Sequence, residues 1–145
     1  TNSMMTDDRF LLGIDMLKPK DILERAYNDS TGITSKFNKN ILNILNRELN
    51  ANFNLDHFNH RAIFNTEKER IEMYLQANRD VSAKISALGL TVELKEGETI
   101  HTEICRKFSE DSVEQMAFNA GLSVTKWFSD SKGWFSLVEM APQNS

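Results

Sequence analysis

Phe10-Leu11-Leu12-Gly13-Ile14-Asp15-Met16 is the stretch on which the fold turns. It is short, almost wholly apolar, and stopped by Lys18-Pro19. Such a run fits a strand covered on both faces, as the central strands of a parallel sheet are. A strand of that kind needs neighbours, and the few residues before it cannot supply them. The expectation is therefore a piece of a longer protein.

Outward from that strand the pattern becomes helical. Pro19 opens a helix that carries Ile22, Leu23, Ala26 and Tyr27, since proline suits a first turn whose N–H has no partner anyway. Asn28-Asp29-Ser30-Thr31-Gly32 is a dense turn signal. The spacing of Phe37, Ile41, Leu42, Leu45 and Leu49 predicts a second helix over about 34–49, with Thr34 as its N-cap. From His60 the period changes to two. Ile71, Met73, Leu75 and Ala77 share one strand face; Val81, Ala83 and Ile85 alternate likewise, as do Leu90, Val92 and Leu94. With a turn at Glu96-Gly97 and a strand over about 98–107, this block predicts an antiparallel meander. Asp111-x-x-Glu114 then resembles a capping box for a helix with Val113, Met116, Ala117 and Ala120 inward and Gly121 at its end. Two strands, 124–128 and 134–140, follow around an Asp130-Ser131-Lys132-Gly133 hairpin. The order is that of an α/β sheet interrupted by an α+β insertion.

Composition narrows the function. The 145 residues are 40% hydrophobic and 26% charged, the balance of one globular domain. A net charge of −4 with no basic stripe argues against nucleic acid. No apolar run approaches the roughly 20 residues of a membrane span, and no basic-then-apolar leader opens the chain. The lone cysteine, Cys105, cannot close an internal disulfide, so a cytoplasmic setting is expected. Of the histidines, His57 and His60 are three apart, but no partner cluster follows at a zinc-ligand spacing, and surface or structural histidine is the reading.

Chemistry concentrates in one segment, Thr99-Ile100-His101-Thr102-Glu103-Ile104-Cys105-Arg106-Lys107-Phe108. On a strand, His101, Glu103, Cys105 and Lys107 share a face, either solvated or the floor of a polar pocket; periodicity alone favours the solvated face. Cys105 as a nucleophile would need a base, and His101 lies about 13 Å away along such a strand. The default for Cys105 and Met73 is packing, and Tyr27 is a helix-end aromatic. Gly-x-Gly-x-x-Gly and phosphate-loop motifs are absent from the sequence.

The chain resembles the histidine-specific Nα-methyltransferase family, whose members trimethylate histidine on the way to ergothioneine. The matching segments are Leu11-Leu12-Gly13-Ile14-Asp15, Ala26-Tyr27-Asn28-Asp29, Thr31-Gly32-Ile33-Thr34, Phe37-Asn38-Lys39-Asn40, Asn46-Arg47-Glu48-Leu49 and Arg70-Ile71-Glu72-Met73. They continue through Ala87-Leu88-Gly89-Leu90-Thr91-Val92, Gly97-Glu98-Thr99 and Thr102-Glu103 to Trp127 and Gly133-Trp134-Phe135. Singly each is weak; their order and spacing from about residue 9 to 141 carry the resemblance.

That resemblance implies a Rossmann-like methyltransferase domain with a substrate-recognition domain inserted late. Residues 1–17 would hold the last parallel strand, 18–107 the insertion, and 108–145 the final helix and hairpin of the methyltransferase sheet. It also implies roles. The tyrosine matching Tyr27 holds the substrate carboxylate, and positions matching Thr34, Phe37 and Met73 line the pocket. The carboxylate matching Glu103 bonds the substrate imidazole, as does the residue matching Cys105, where the family usually has serine. A carboxylate facing a ring N–H makes a charge-assisted bond and rejects a ring without that donor.

The S-adenosylmethionine site, with its glycine-rich turn on the first strands of the sheet, is expected upstream of this chain, as is the asparagine completing the carboxylate site. No catalytic base is assigned, and the isolated chain is expected to be inactive. Histidine or a similar aromatic amino acid is the expected partner, with self-association through the exposed edge of the 10–16 strand. The alternative is a stand-alone, non-catalytic ligand-binding or assembly module derived from that family.

Overall fold

Residues 4–143 are described by a computed structural model, a mixed α/β chain with antiparallel sheets and, among these residues, three α-helices. It divides into two compact units, one from both chain ends (1–19 and 106–145) and one from Lys20–Cys105.

In the first unit, β1 (Phe10–Asp15), β7 (Leu122–Ser129) and β8 (Phe135–Pro142) form a three-stranded sheet in the order β1-β8-β7. β1 runs antiparallel to β8, with Phe10 opposite Met140 and Asp15 opposite Phe135. One face is closed by α3 (Glu110–Asn119), so that Ile14, Met16, Val113, Ala117, Leu122, Val138 and Met140 form a core. On β1, Leu11 is 57% exposed within the described residues. The cause is that α3 covers one face of this sheet, and Phe128, Phe135 and Leu137 are exposed too. Where β1 ends, Leu17 N–H bonds the Phe108 carbonyl at 2.9 Å and Phe108 N–H bonds the Asp15 carbonyl at 3.1 Å. Asp15 also receives Lys18 and, at 2.7 Å, the fully buried Lys107. Burial works against the Asp15 carboxylate, but the bonds from the two lysines outweigh it and hold its pKa below the ordinary 3.8.

Two local expectations change here. α3 is capped by Ser109, whose Oγ accepts from Ser112 N–H while Ser112 Oγ accepts from Ser109 N–H, so the box is Ser109/Ser112 and not Asp111/Glu114. The 130–133 hairpin forms as expected: the Asp130 carboxylate takes the N–H groups of Lys132, Trp134 and Phe135, and Gly133 supplies a φ of 65°.

The second unit begins with α1 (Lys20–Tyr27) and α2 (Ile33–Glu48). Thr34 is not the cap of α2. The cap position is Gly32 at φ 70°, and the Asp29 carboxylate, reaching forward, accepts the N–H groups of Ile33 and Thr34 at 2.9 Å each. The Thr31 and Thr34 hydroxyls join those bonds and drive the Asp29 pKa far below the ordinary range. The buried stripe of α2 also differs from expectation: Asn38 and Leu42 are buried and Leu45 and Leu49 half-buried, whereas Phe37 and Ile41 face outward.

β2 (Phe58–Asn65), β3 (Arg70–Ala77) and β6 (Thr99–Arg106) form one sheet in the order β2-β3-β6, while β4 (Val81–Ile85) and β5 (Leu90–Leu94) form a separate hairpin. The simple meander is thereby corrected. The far edge of β4 is already engaged by the segment after α2, through Asn52 N–H to the Lys84 carbonyl, Ser86 N–H to the Asn50 carbonyl and the Ala51–Ile85 bridge. Val81, Ala83 and Ile85 then pack with Leu42, Phe53, Phe58, Leu75 and Ala77 in a single core. The start of β6 is drawn beside the end of β3 by Gly97 N–H to the Ala77 carbonyl at 2.8 Å and Ala77 N–H to the Glu98 carbonyl at 2.9 Å.

Candidate functional site

The alternation of β6 is broken in the middle. Ile100 and Thr102 are its half-buried residues before the break, Glu103 and Cys105 after it. Of the residues expected to share a face, Glu103 and Cys105 are half-buried. His101 is exposed and stacks on Tyr74, with ring centroids 4.8 Å apart. Lys107 lies beyond β6 in the first unit.

Two groupings of the expected site residues result. The Tyr27 hydroxyl, at the C-terminal end of α1, donates to Cys105 Sγ at 3.0 Å. Glu103, half-buried, lines a groove of about 170 Å³ with Thr102 and, from α2, Phe37, Asn38, Ile41 and Ile44. Phe37 is 64% exposed there, a ring presented to whatever fills the groove. Thr34 and Met73 are not in its lining. Thr34 sits in the first turn of α2, held by Asp29; Met73 is 1% exposed inside β3, its carbonyl accepting the Thr102 hydroxyl at 3.0 Å. A larger open concavity of about 530 Å³ in the first unit, around Asp111, Glu114 and Phe118, holds none of the candidate residues.

Tyr27 is fixed from behind by residues that periodicity does not single out. His60 Nε2 lies 2.8 Å from the Tyr27 carbonyl, and His60 Nδ1 lies 2.9 Å from the amide nitrogen of Asn38. Asn28 bonds both backbone groups of Ala62, accepting its N–H and donating to its carbonyl at 2.9 Å each. The signal for Asn38 is present in the sequence: it continues the Leu42, Leu45, Leu49 stripe as a polar residue on an inward face, where a buried amide must find partners.

A second polar cluster involves Glu72, which is 6% exposed. The Tyr74 hydroxyl at 2.6 Å, Arg70 and Asn65 all bond it. These bonds, that of Tyr74 first, hold the Glu72 carboxyl at about 2, well under its ordinary 4.5. Its acceptor capacity is taken up within the chain, which marks a structural knot. His57 and His60 do not converge, since His57 sits in a turn against Asn54 and His60 on β2. Among the described residues no group of three or more His, Cys, Asp or Glu side chains gathers as a metal site would, and no helix is long and apolar enough to cross a membrane.

The N-terminus of α2 is closed by Asp29 and that of α3 by Ser109 and Ser112, and among the described residues no glycine-rich turn joins a strand to a helix.

Comparison with known proteins agrees with the resemblance in the sequence. Residues 1–142 match the family model described as histidine-specific methyltransferase, SAM-dependent. The histidine N-alpha-methyltransferase of Mycolicibacterium smegmatis is 41% identical over 136 residues, 94% of this chain and 42% of the relative. That of Mycobacterium tuberculosis is 42% identical over 134 residues, 92% of this chain and 42% of the relative. The chain thus spans well under half the length of these relatives. It belongs to the SAM-dependent, histidine-specific methyltransferase family.

Proposed function

We propose that this chain is the substrate-recognising part of an S-adenosylmethionine-dependent methyltransferase that acts on the α-amine of histidine or a similar aromatic amino acid. Residues 18–107 are the inserted recognition domain; 1–17 and 108–145 belong to the methyltransferase sheet. The division of the chain into one unit from both ends and one from the middle supports this arrangement. The cofactor site lies in the part of the enzyme that these residues do not supply.

The observation that carries the reading is the pairing of Tyr27 with Cys105 two residues from Glu103, on the half-buried side of β6. In this reading Tyr27 donates to the substrate carboxylate, and Glu103 and Cys105 meet the ring, with Phe37 lining the groove and Thr34 and Met73 supporting it from outside that lining. Glu103 accepts a ring N–H in a charge-assisted bond. Cys105 replaces the hydroxyl found in the family with a larger and weaker partner, which loosens the preference for imidazole over other N–H rings. The cofactor supplies an electrophilic methyl group. What these side chains contribute is orientation of the amine, from which most of the rate of such a displacement can come. None of the three, Tyr27, Glu103 or Cys105, needs to form a covalent bond.

The test is product analysis with the full-length enzyme, S-adenosylmethionine, and histidine or tryptophan as competing substrates. Methylated histidine is the expected product. Absence of any methylated aromatic amino acid overturns the reading and leaves a non-catalytic binding module.

A further inference from the structure

We propose that His60 is a positioning residue of the substrate site, holding the Tyr27 carbonyl through Nε2–H and so setting where the Tyr27 hydroxyl lies. The inference rests on the reading of Tyr27 as a carboxylate ligand. The hydrogen-bond directions follow from acceptors that cannot donate. Asn38, 3% exposed, places its amide nitrogen 3.1 Å from the Tyr74 carbonyl and 2.9 Å from His60 Nδ1. A carbonyl only accepts, so one amide hydrogen goes to Tyr74 and the other to His60 Nδ1, which accepts it. The ring hydrogen is then on Nε2, 2.8 Å from the Tyr27 carbonyl, another group that only accepts. The three residues form a one-way relay from α2 through β2 to the end of α1.

The relay ends at a functional place. Tyr27 is the last residue of α1, where helix carbonyls lack an intrahelical partner. His60 supplies that partner and fixes the backbone from which the tyrosine ring projects towards Cys105. Attachment of α1 to the sheet does not depend on this bond. Asn28 makes two bonds to Ala62, and Glu24 accepts the Phe64 N–H at 3.0 Å. Loss of His60 therefore leaves α1 docked but removes one of the bonds that position Tyr27, so the effect falls on substrate binding before it falls on the fold.

The experiment is a double-mutant cycle in the full-length enzyme, His60→Leu against Tyr27→Phe, with KM and kcat measured for the amino acid and for S-adenosylmethionine. His60→Leu raises KM for the amino acid about ten-fold, the factor that one lost hydrogen bond of ordinary strength gives. The kcat and the KM for the cofactor stay within about two-fold, the pattern of an interaction made equally in ground and transition states. His60→Gln, which keeps a donor near Nε2, recovers most of the loss. In the Tyr27→Phe background His60→Leu adds nothing further. Equal factors in both backgrounds, or a parallel rise in the cofactor KM, overturn this inference while the Tyr27 reading stands. An unchanged KM in Tyr27→Phe alone overturns the Tyr27 reading and this inference with it. Imidazole nitrogen NMR of the unaltered protein needs no variant: the His60 proton is expected on Nε2, and a proton on Nδ1 overturns the relay.

Discussion

The two units bury their side chains in different ways. The second closes a core from its own elements: Leu42 of α2, Phe58, Leu75 and Ala77 of the sheet, and Val81, Ala83 and Ile85 of the hairpin meet in one cluster. The first closes one face of its sheet with α3 and leaves Leu11, Phe128, Phe135 and Leu137 exposed on β1, β7 and β8. It also carries an ionic joint, the buried Lys107 on Asp15. The difference teaches that the residues proposed to recognise substrate stand on the unit with the more closed core, where Asn38, His60 and Asn28 are each satisfied internally.

The comparison can be broken most forcefully in the second unit. Leu42→Ala removes a side chain that is 1% exposed at the centre of that core, and should cost about 4 kcal/mol in urea unfolding, a large-to-small core change. A cost under about 1 kcal/mol would mean that this core is not what holds the unit. Next comes the ionic joint. Asp15→Asn removes the negative charge that the buried Lys107 ammonium meets at 2.7 Å and should cost about 3 kcal/mol. Hydrogen exchange should place the loss in residues 10–17 and 106–108.

Acid should act on the second unit through Glu72. Its folded-state pKa lies below the unfolded one, so its contribution is fully present above pH 4.5 and is lost as pH falls towards about 2. Glu72→Gln should flatten that part of the stability profile, and an unchanged profile would show that the knot is idle. The smallest effect is expected at the first unit's open face. Leu11→Lys should change stability by under about 0.5 kcal/mol yet reduce concentration-dependent self-association of the chain in light scattering.

Legibility followed the same division. Strict period-two runs gave β3, β4 and β5, and Asp130 to Gly133 gave the hairpin, because each signal is local. β2 went unassigned as a strand of its own, since His60 and the polar residues between Phe58, Ala62 and Phe64 blur its alternation. On α2 two apolar stripes compete, Ile33-Phe37-Ile41-Ile44 and Leu42-Leu45-Leu49, and periodicity cannot choose between them; the partners of Asn38 decide it. Caps were displaced from Thr34 to Asp29 and from Asp111 to Ser109 because several nearby side chains could accept the same N–H groups. The site residues were named through the family resemblance. The change of burial along β6 between Thr102 and Glu103 is not legible, because nothing in the alternation of residue types marks it.

The most direct test of the central claim is histidine binding to the full-length enzyme by calorimetry, unaltered and with Glu103→Gln. A neutral amide should weaken histidine binding by ten-fold or more, the value of a charge-assisted bond to a ring N–H, while S-adenosylmethionine binding stays unchanged. Equal histidine affinity in both proteins would contradict the assignment of Glu103, and with it the claim that this segment recognises the substrate.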